Sequence, residues 1–216
     1  MKLLRIILYI GLFGLTTLAQ AQTIIPLERG KGGVRAKNID DYKDEMKMAE
    51  RQRNDSLQYV DHLRRAFNAL HTDSIGQAEL LFNKALKLRP TAPGNHVIKF
   101  NLGLIDMARG QNVEAVKKLT DIIKEYPNYF DARLARAEAN LQLNKANEAV
   151  EDAEQVLNKT DFEGVTPLLI ERARFIRAAA RYQLRLFNDA HADLRVILAD
   201  NPQNTNAQIL DALTLQ

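Results

Sequence analysis

The chain has 216 residues, 46% hydrophobic and 26% charged, the balance of one soluble domain or two small ones. It contains no cysteine, which excludes disulfides, thiol chemistry and lipid-modified cysteines. The formal charge of +3 falls to +1 without Lys2 and Arg5, when 28 basic residues face 27 acidic ones, so bulk charge does not point to nucleic acid.

Those two residues open the first element. Lys2 and Arg5 precede an uncharged, mostly apolar run from Ile6 to Leu18, and Ala19-Gln20-Ala21 fits an A-x-A cleavage site. This predicts a signal peptide over residues 1–21, a mature chain starting at Gln22, and a bacterial periplasmic or secreted protein. No membrane span is expected after cleavage. An uncleaved anchor is disfavoured because Thr16, Thr17, Gln20, Gln22 and Thr23 dilute the apolar run of about 20 residues that a bilayer requires.

Residues 22–37 carry Gly30, Gly32, Gly33 and Pro26 together with Arg29, Lys31, Arg35 and Lys37. This composition predicts a flexible basic linker, with docking to anionic lipid or polysaccharide as the alternative. From Ile39 to Leu70 there is neither glycine nor proline. A thin stripe runs through Ile39, Tyr42, Met46 and Ala49 and resumes at Val60, Leu63, Phe67 and Leu70. Arg53 and Ser56 interrupt it, and Asn54, Asp55 and Ser56 are good N-cap residues. The reading is one helix over about 39–53, in a segment 22–55, and a repeat domain over 56–216 whose first helix starts near Ser56. One continuous helix is the rival. The stripe of the first helix is expected to cover part of the repeat domain, in its own chain or in a homodimer mate.

The rest of the chain repeats. An alanine recurs at Ala78, Ala115, Ala149 and Ala190, with spacings of 37, 34 and 41 residues. Four residues after it stand Phe82, Leu119, Ala153 and Leu194; three further on stand Ala85, Ile122, Val156 and Ile197. These steps put the side chains on one helical face. Twelve residues before the alanine stand Ala66, Gly103, Ala137 and Ala178, small enough to let a paired helix approach. Pro90, Pro127 and Pro202 close units one, two and four; Asp161 stands in place of the proline in unit three. Residues Asn206 to Leu215 read as a final helix that caps the last face.

A period near 34 built of helix, turn, helix and closing proline resembles the tetratricopeptide repeat over residues 56 to 202. The family's first-helix aromatic is missing, its place taken by His62, Lys99, Arg133 and Arg174. The resemblance implies an all-α helical solenoid of about four helix-turn-helix units, plus an N-terminal helix and a C-terminal capping helix. It further implies that the first helix of each unit lines a concave protein-binding groove. By register the groove comprises Val60, Leu63, Phe67 and Leu70 in unit one and Val97, Phe100, Leu104 and Met107 in unit two. Unit three supplies Asp131, Leu134, Glu138 and Leu141, and unit four Arg172, Phe175, Ala179 and Tyr182. Some family members grip a C-terminal carboxylate with Lys and Asn here. Leu63, Phe67, Phe100 and Leu104 do not suit that mode and favour an amphipathic helix or an apolar extended segment. Phe100, Met107 and Tyr182 are expected to open onto the groove.

No catalytic constellation emerges. His62, His71, His96 and His191 share no metal-ligand spacing, and Gly30-Lys31-Gly32-Gly33 lacks the strand and helix of a phosphate loop. Glu151, Asp152 and Glu154 are expected on a solvated face. The chain is therefore expected to be a non-enzymatic scaffold, without cofactor or metal, that binds a protein or peptide in the cell envelope. A permanent subunit of an envelope assembly is the alternative, and an enzyme or carbohydrate-binding protein the third.

Overall fold

The computed structural model describes residues 39–215, and the expected signal peptide and basic arm lie outside them. The described residues form α-helices and no strands. They are α1 (Ile39–His71), α2 (Ile75–Leu88), α3 (Asn95–Ala108), α4 (Asn112–Glu125) and α5 (Phe130–Gln142). There follow α6 (Ala146–Leu157), α7 (Pro167–Gln183), α8 (Phe187–Asp200) and α9 (Thr205–Thr214). The chain divides into two compact units, one ending at Ile98 and the other starting at Lys99, so the division falls within α3.

In the first unit α1 is continuous over 33 residues, and the expected break near Ser56 does not occur. With no glycine or proline to interrupt it, the helix runs through the three capping residues. Ser56 Oγ donates to the Gln52 carbonyl at 2.7 Å, so its hydroxyl is satisfied on the helix's own backbone. Side chains 42 to 55 are all exposed, and Tyr59 is the first to be buried. Tyr42 and Met46, expected to be covered, are 58% and 71% exposed, so none of the described residues covers this part of the stripe. From Tyr59 on, α1 packs against α2, with Phe67 meeting Phe82 edge to face at 5.3 Å between centroids.

Tyr59 also fastens the loop that follows α2. Its hydroxyl donates to Asn95 Oδ1 at 3.0 Å, Asn95 Nδ2 donates to the Arg89 carbonyl at 2.7 Å, and the Arg89 guanidinium lies 5.8 Å from the Tyr59 ring centre. Burial holds the Tyr59 hydroxyl above its ordinary pKa despite the nearby Arg89.

In the second unit α4 packs on α5, α5 on α6 and on α7, and α6 on α7; α7 then packs on α8, and α9 lies against both. The register read from the sequence is the packing register. All four marker alanines are fully buried, as are Phe82, Leu119, Ala153 and Leu194 four residues later. Gly103 shows why the position twelve residues earlier is small: a Cβ there would come within 3.3 Å of Leu119 Cγ.

A second marker lies five residues before each alanine. Asp73, Gly110, Asn144 and Arg185 all have positive φ, between 56° and 75°, and each sits in the turn between the two helices of a repeat. Aspartate, asparagine and glycine tolerate that conformation; Arg185 adopts it without such help.

Ala115 tests the register. Replacing it by Phe should overpack the contact between α3 and α4 and cost about 1–3 kcal/mol. The exposed neighbour Glu114→Ala should stay within about 0.5 kcal/mol. Chemical denaturation of the two variants checks the difference; superimposable curves would refute the register.

Candidate protein-binding surface

The residues expected to line a groove divide into core and surface. In the first unit Leu63 is buried, Phe67, Leu70 and Val97 are half-buried, and Val60 is exposed. In the second unit Phe100, Leu104, Met107 and Leu134 are buried. The openness expected of Phe100 and Met107 is therefore incorrect. Phe100 has no exposed surface and packs on the Tyr129 ring at 5.2 Å, because helices that approach over small residues also enclose the large ones beside them. What remains within reach of a partner in the second unit is Asp131, Glu138, Leu141, Arg172, Phe175, Ala179 and Tyr182, all half-buried on α5 and α7.

These residues are held in place by one another and by their own repeats. Arg172 donates through Nε to Glu138 Oε1 at 2.8 Å and through a terminal nitrogen to Oε2 at 2.9 Å, a two-point clamp between α7 and α5. Asp131 stands 3.8 Å from the same guanidinium. Burial alone would pull the Arg172 pKa down, but Glu138 and Asp131 together keep it above its ordinary value. Burial raises the Asp131 carboxyl, and Arg172 offsets only part of that rise. The Tyr129 hydroxyl is raised by burial first and then by the charge of Asp131. At the other end of the helices, Gln183 Nε2 donates to the Leu141 carbonyl at 3.2 Å, and the Tyr182 ring lies 5.5 Å from that of Phe187. Phe175 packs against the cluster of Ala178, Leu194, Ile197 and Ala207 that seats α9.

The raised Asp131 carboxyl has a consequence for stability. An acid whose folded pKa is raised favours the fold at low pH and loses that contribution as the pH climbs through the folded value. Asp131→Asn should therefore melt at or above the wild-type temperature near neutrality, with the gap closing as the pH falls through the carboxylate range. Paired thermal melts at neutral and acid pH check this; a variant less stable at neutral pH would show that the ion pair with Arg172 outweighs burial.

No protein-family model and no curated protein matches the sequence. Solved structures do match. A tetratricopeptide repeat protein from Parabacteroides merdae superposes with a TM-score of 0.61 at 20% identity, over 73% of this chain and 59% of that one. The chain has the tetratricopeptide-repeat fold. It thus spans 59% of the length of the Parabacteroides protein. The MamA RS-1 ArsTM double mutant gives the same TM-score at 13% identity, covering 73% of this chain and 83% of that one. The second tetratricopeptide domain of human RPAP3, solved with an HSP70 peptide, gives 0.50 at 23% identity over 58% of this chain and 99% of that domain.

Within this tetratricopeptide frame one set of polar residues escaped the sequence reading. Asp152, expected in water with Glu151 and Glu154, is buried on α6. It accepts from Arg136 Nε at 2.8 Å and from a terminal nitrogen of the same side chain at 2.7 Å, with Arg133 3.4 Å away. Three residues after the marker alanine, repeats two and four also carry a charge, Lys118 and Asp193, whereas repeat one has Leu81. Asp193 accepts from Arg177 at 2.5 Å and from Arg181 at 2.8 Å, and Lys118 pairs with buried Asp106. Arg136 also donates to Thr120 on α4, and Arg177 and Arg181 approach Glu154 on α6, so the groups of repeats three and four each tie their repeat to the one before. The hydrogen bonds they donate to Asp152 and Asp193 raise the pKa of Arg136 and Arg177 and so hold them charged. The signal in the sequence was the matching of opposite charges 12 or 16 residues apart across a hairpin, Asp106 with Lys118, Arg136 with Asp152, and Arg177 with Asp193.

Among the described residues no group of three or more His, Asp or Glu could hold a metal ion, and no helix is long and apolar enough to cross a membrane.

Proposed function

We propose that the chain is an exported scaffold that binds a protein partner in the bacterial cell envelope, through the first-helix faces of repeats three and four, and that it catalyses no reaction. The observation that carries this reading is the surface on α5 and α7. It offers half-open apolar and aromatic groups, Leu141, Phe175 and Tyr182, on a backbone whose side chains are already fixed by the Glu138–Arg172 clamp. A surface held rigid before binding loses little entropy when a partner arrives. The RPAP3 domain, of the same fold, was solved with a peptide, which supports peptide or protein segments as the ligand class. The apolar patch favours a segment with spaced apolar side chains, beside a charged group that can exchange with Glu138 or Arg172.

Photo-crosslinking from position 182 in the full chain, followed by mass spectrometry of envelope extracts, tests the site. A single adduct lost in Leu141→Asp and kept in Glu114→Ala would support it. Adducts insensitive to Leu141→Asp, or none, would count against it.

The envelope address rests on the leader sequence. Soluble protein recovered from a Gram-negative host should begin at Gln22, because Ala19 and Ala21 fit the peptidase pocket. Intact-mass measurement reads this directly; retention of Met1 would withdraw the address.

A further inference from the structure

We propose that two copies of the chain pair antiparallel through residues 42–53 of α1. The helix enters repeat one at Tyr59, and the stretch from 42 to 55 has no buried side chain. A helix of that length without tertiary packing is marginal in water. Its stripe has the spacing of a coiled-coil seam. Tyr42, Met46, Ala49, Arg53, Ser56 and Val60 follow one another at alternating steps of four and three. The next members, Leu63 and Phe67, are buried and half-buried in repeat one, so the open seam continues a face that the fold already covers further along.

The charges select the occupant and its direction. In a parallel pair Arg53 would face Arg53 of the second copy in the seam. Glu45 would meet Glu50 on the flank, so like charges would oppose each other at both places. In the antiparallel pair Met46 meets Ala49, and Tyr42 meets Arg53, whose guanidinium can lie on the ring. Lys43 meets Glu50, and the two-fold axis repeats each of these contacts. The segment is thus complementary to itself in one orientation.

The chain contains no native cysteine, so introduced thiols report alone. Full-length Met46→Cys and Ala49→Cys proteins, mixed and oxidised, should form the mixed disulfide in preference to either self-disulfide. Light scattering should give a dimer for the wild type and a monomer for Met46→Lys, whose exposed site leaves the melting of the repeats unchanged. Lys43→Glu should weaken the dimer several-fold, and adding Glu50→Lys should restore it. Self-disulfides alone would mean a parallel pair. A wild-type monomer up to tens of micromolar, or a dimer indifferent to Met46→Lys, would equally overturn the proposal.

Discussion

Phe100→Ala should destabilise the second unit by about 3–5 kcal/mol, the usual range for emptying a phenylalanine site in a core. The sequence pattern alone would place this ring in a binding groove, where its removal would weaken partner binding and leave the fold intact. The structure gives it no exposed surface and a tilted contact with Tyr129. Few surrounding side chains can collapse into the space, since Gly103 and Leu119 are already in close contact one turn away. Urea denaturation of Phe100→Ala beside Tyr182→Ala separates the two roles. The first should shift the midpoint strongly and the second little, because Tyr182 is only half-buried. A near-wild-type midpoint for Phe100→Ala would return the residue to the groove.

Asp152→Ala should cost about 2–3 kcal/mol. Breaking a buried pair costs about 3–5 kcal/mol when the remaining charge stays buried, but Arg133 and Arg136 are 15% and 21% exposed and can recover some hydration. The exposed Glu151→Ala is the control and should fall within about 0.5 kcal/mol. The double variant Arg136→Leu with Asp152→Leu should recover most of the loss. The chain itself already places Leu102 and Leu81 at the equivalent positions of repeats two and one. Denaturation midpoints of all three variants check the ordering. If Asp152→Ala matched Glu151→Ala, the pair would be ornamental to stability.

The parts of this fold that were legible in the sequence are those set by close approach. Ala78, Ala115, Ala149 and Ala190, with the small residues twelve places earlier, are constrained by the distance between two helix axes, and that constraint survives in any repeat of this kind. Positions on the first helix were not legible in the same way. Whether Phe100 or Leu104 faces a partner or a neighbouring helix depends on how far that neighbour covers it, which local spacing does not encode. Asp152 was misread because a charged residue beside Glu151 on an amphipathic helix has the same local pattern in water as under a guanidinium. The continuity of α1 was one of the two readings its glycine-free, proline-free sequence supported, and Ser56 turned its hydroxyl to the backbone instead of capping. Asp73, Gly110 and Asn144 fit left-handed turns by residue type; Arg185 was recognisable only by its place in the register.

The buried charges also bear on how the chain avoids assembling incorrectly. A protein made of similar hairpins can pair the first helix of one repeat with the second helix of another, since the alanine register is the same in each. Repeats two and three carry their charges in opposite senses, acid then base in Asp106 and Lys118, base then acid in Arg136 and Asp152. Exchanging partners between them would press Asp106 against Asp152, both buried, and set Arg136 beside Lys118, so that like charges meet on both sides. Repeats three and four share one sense and lack this protection, but their marker alanines are 41 residues apart and their connection is the longer one. The polarity of two ion pairs thus acts as an address that keeps the helices of repeat two from those of repeat three.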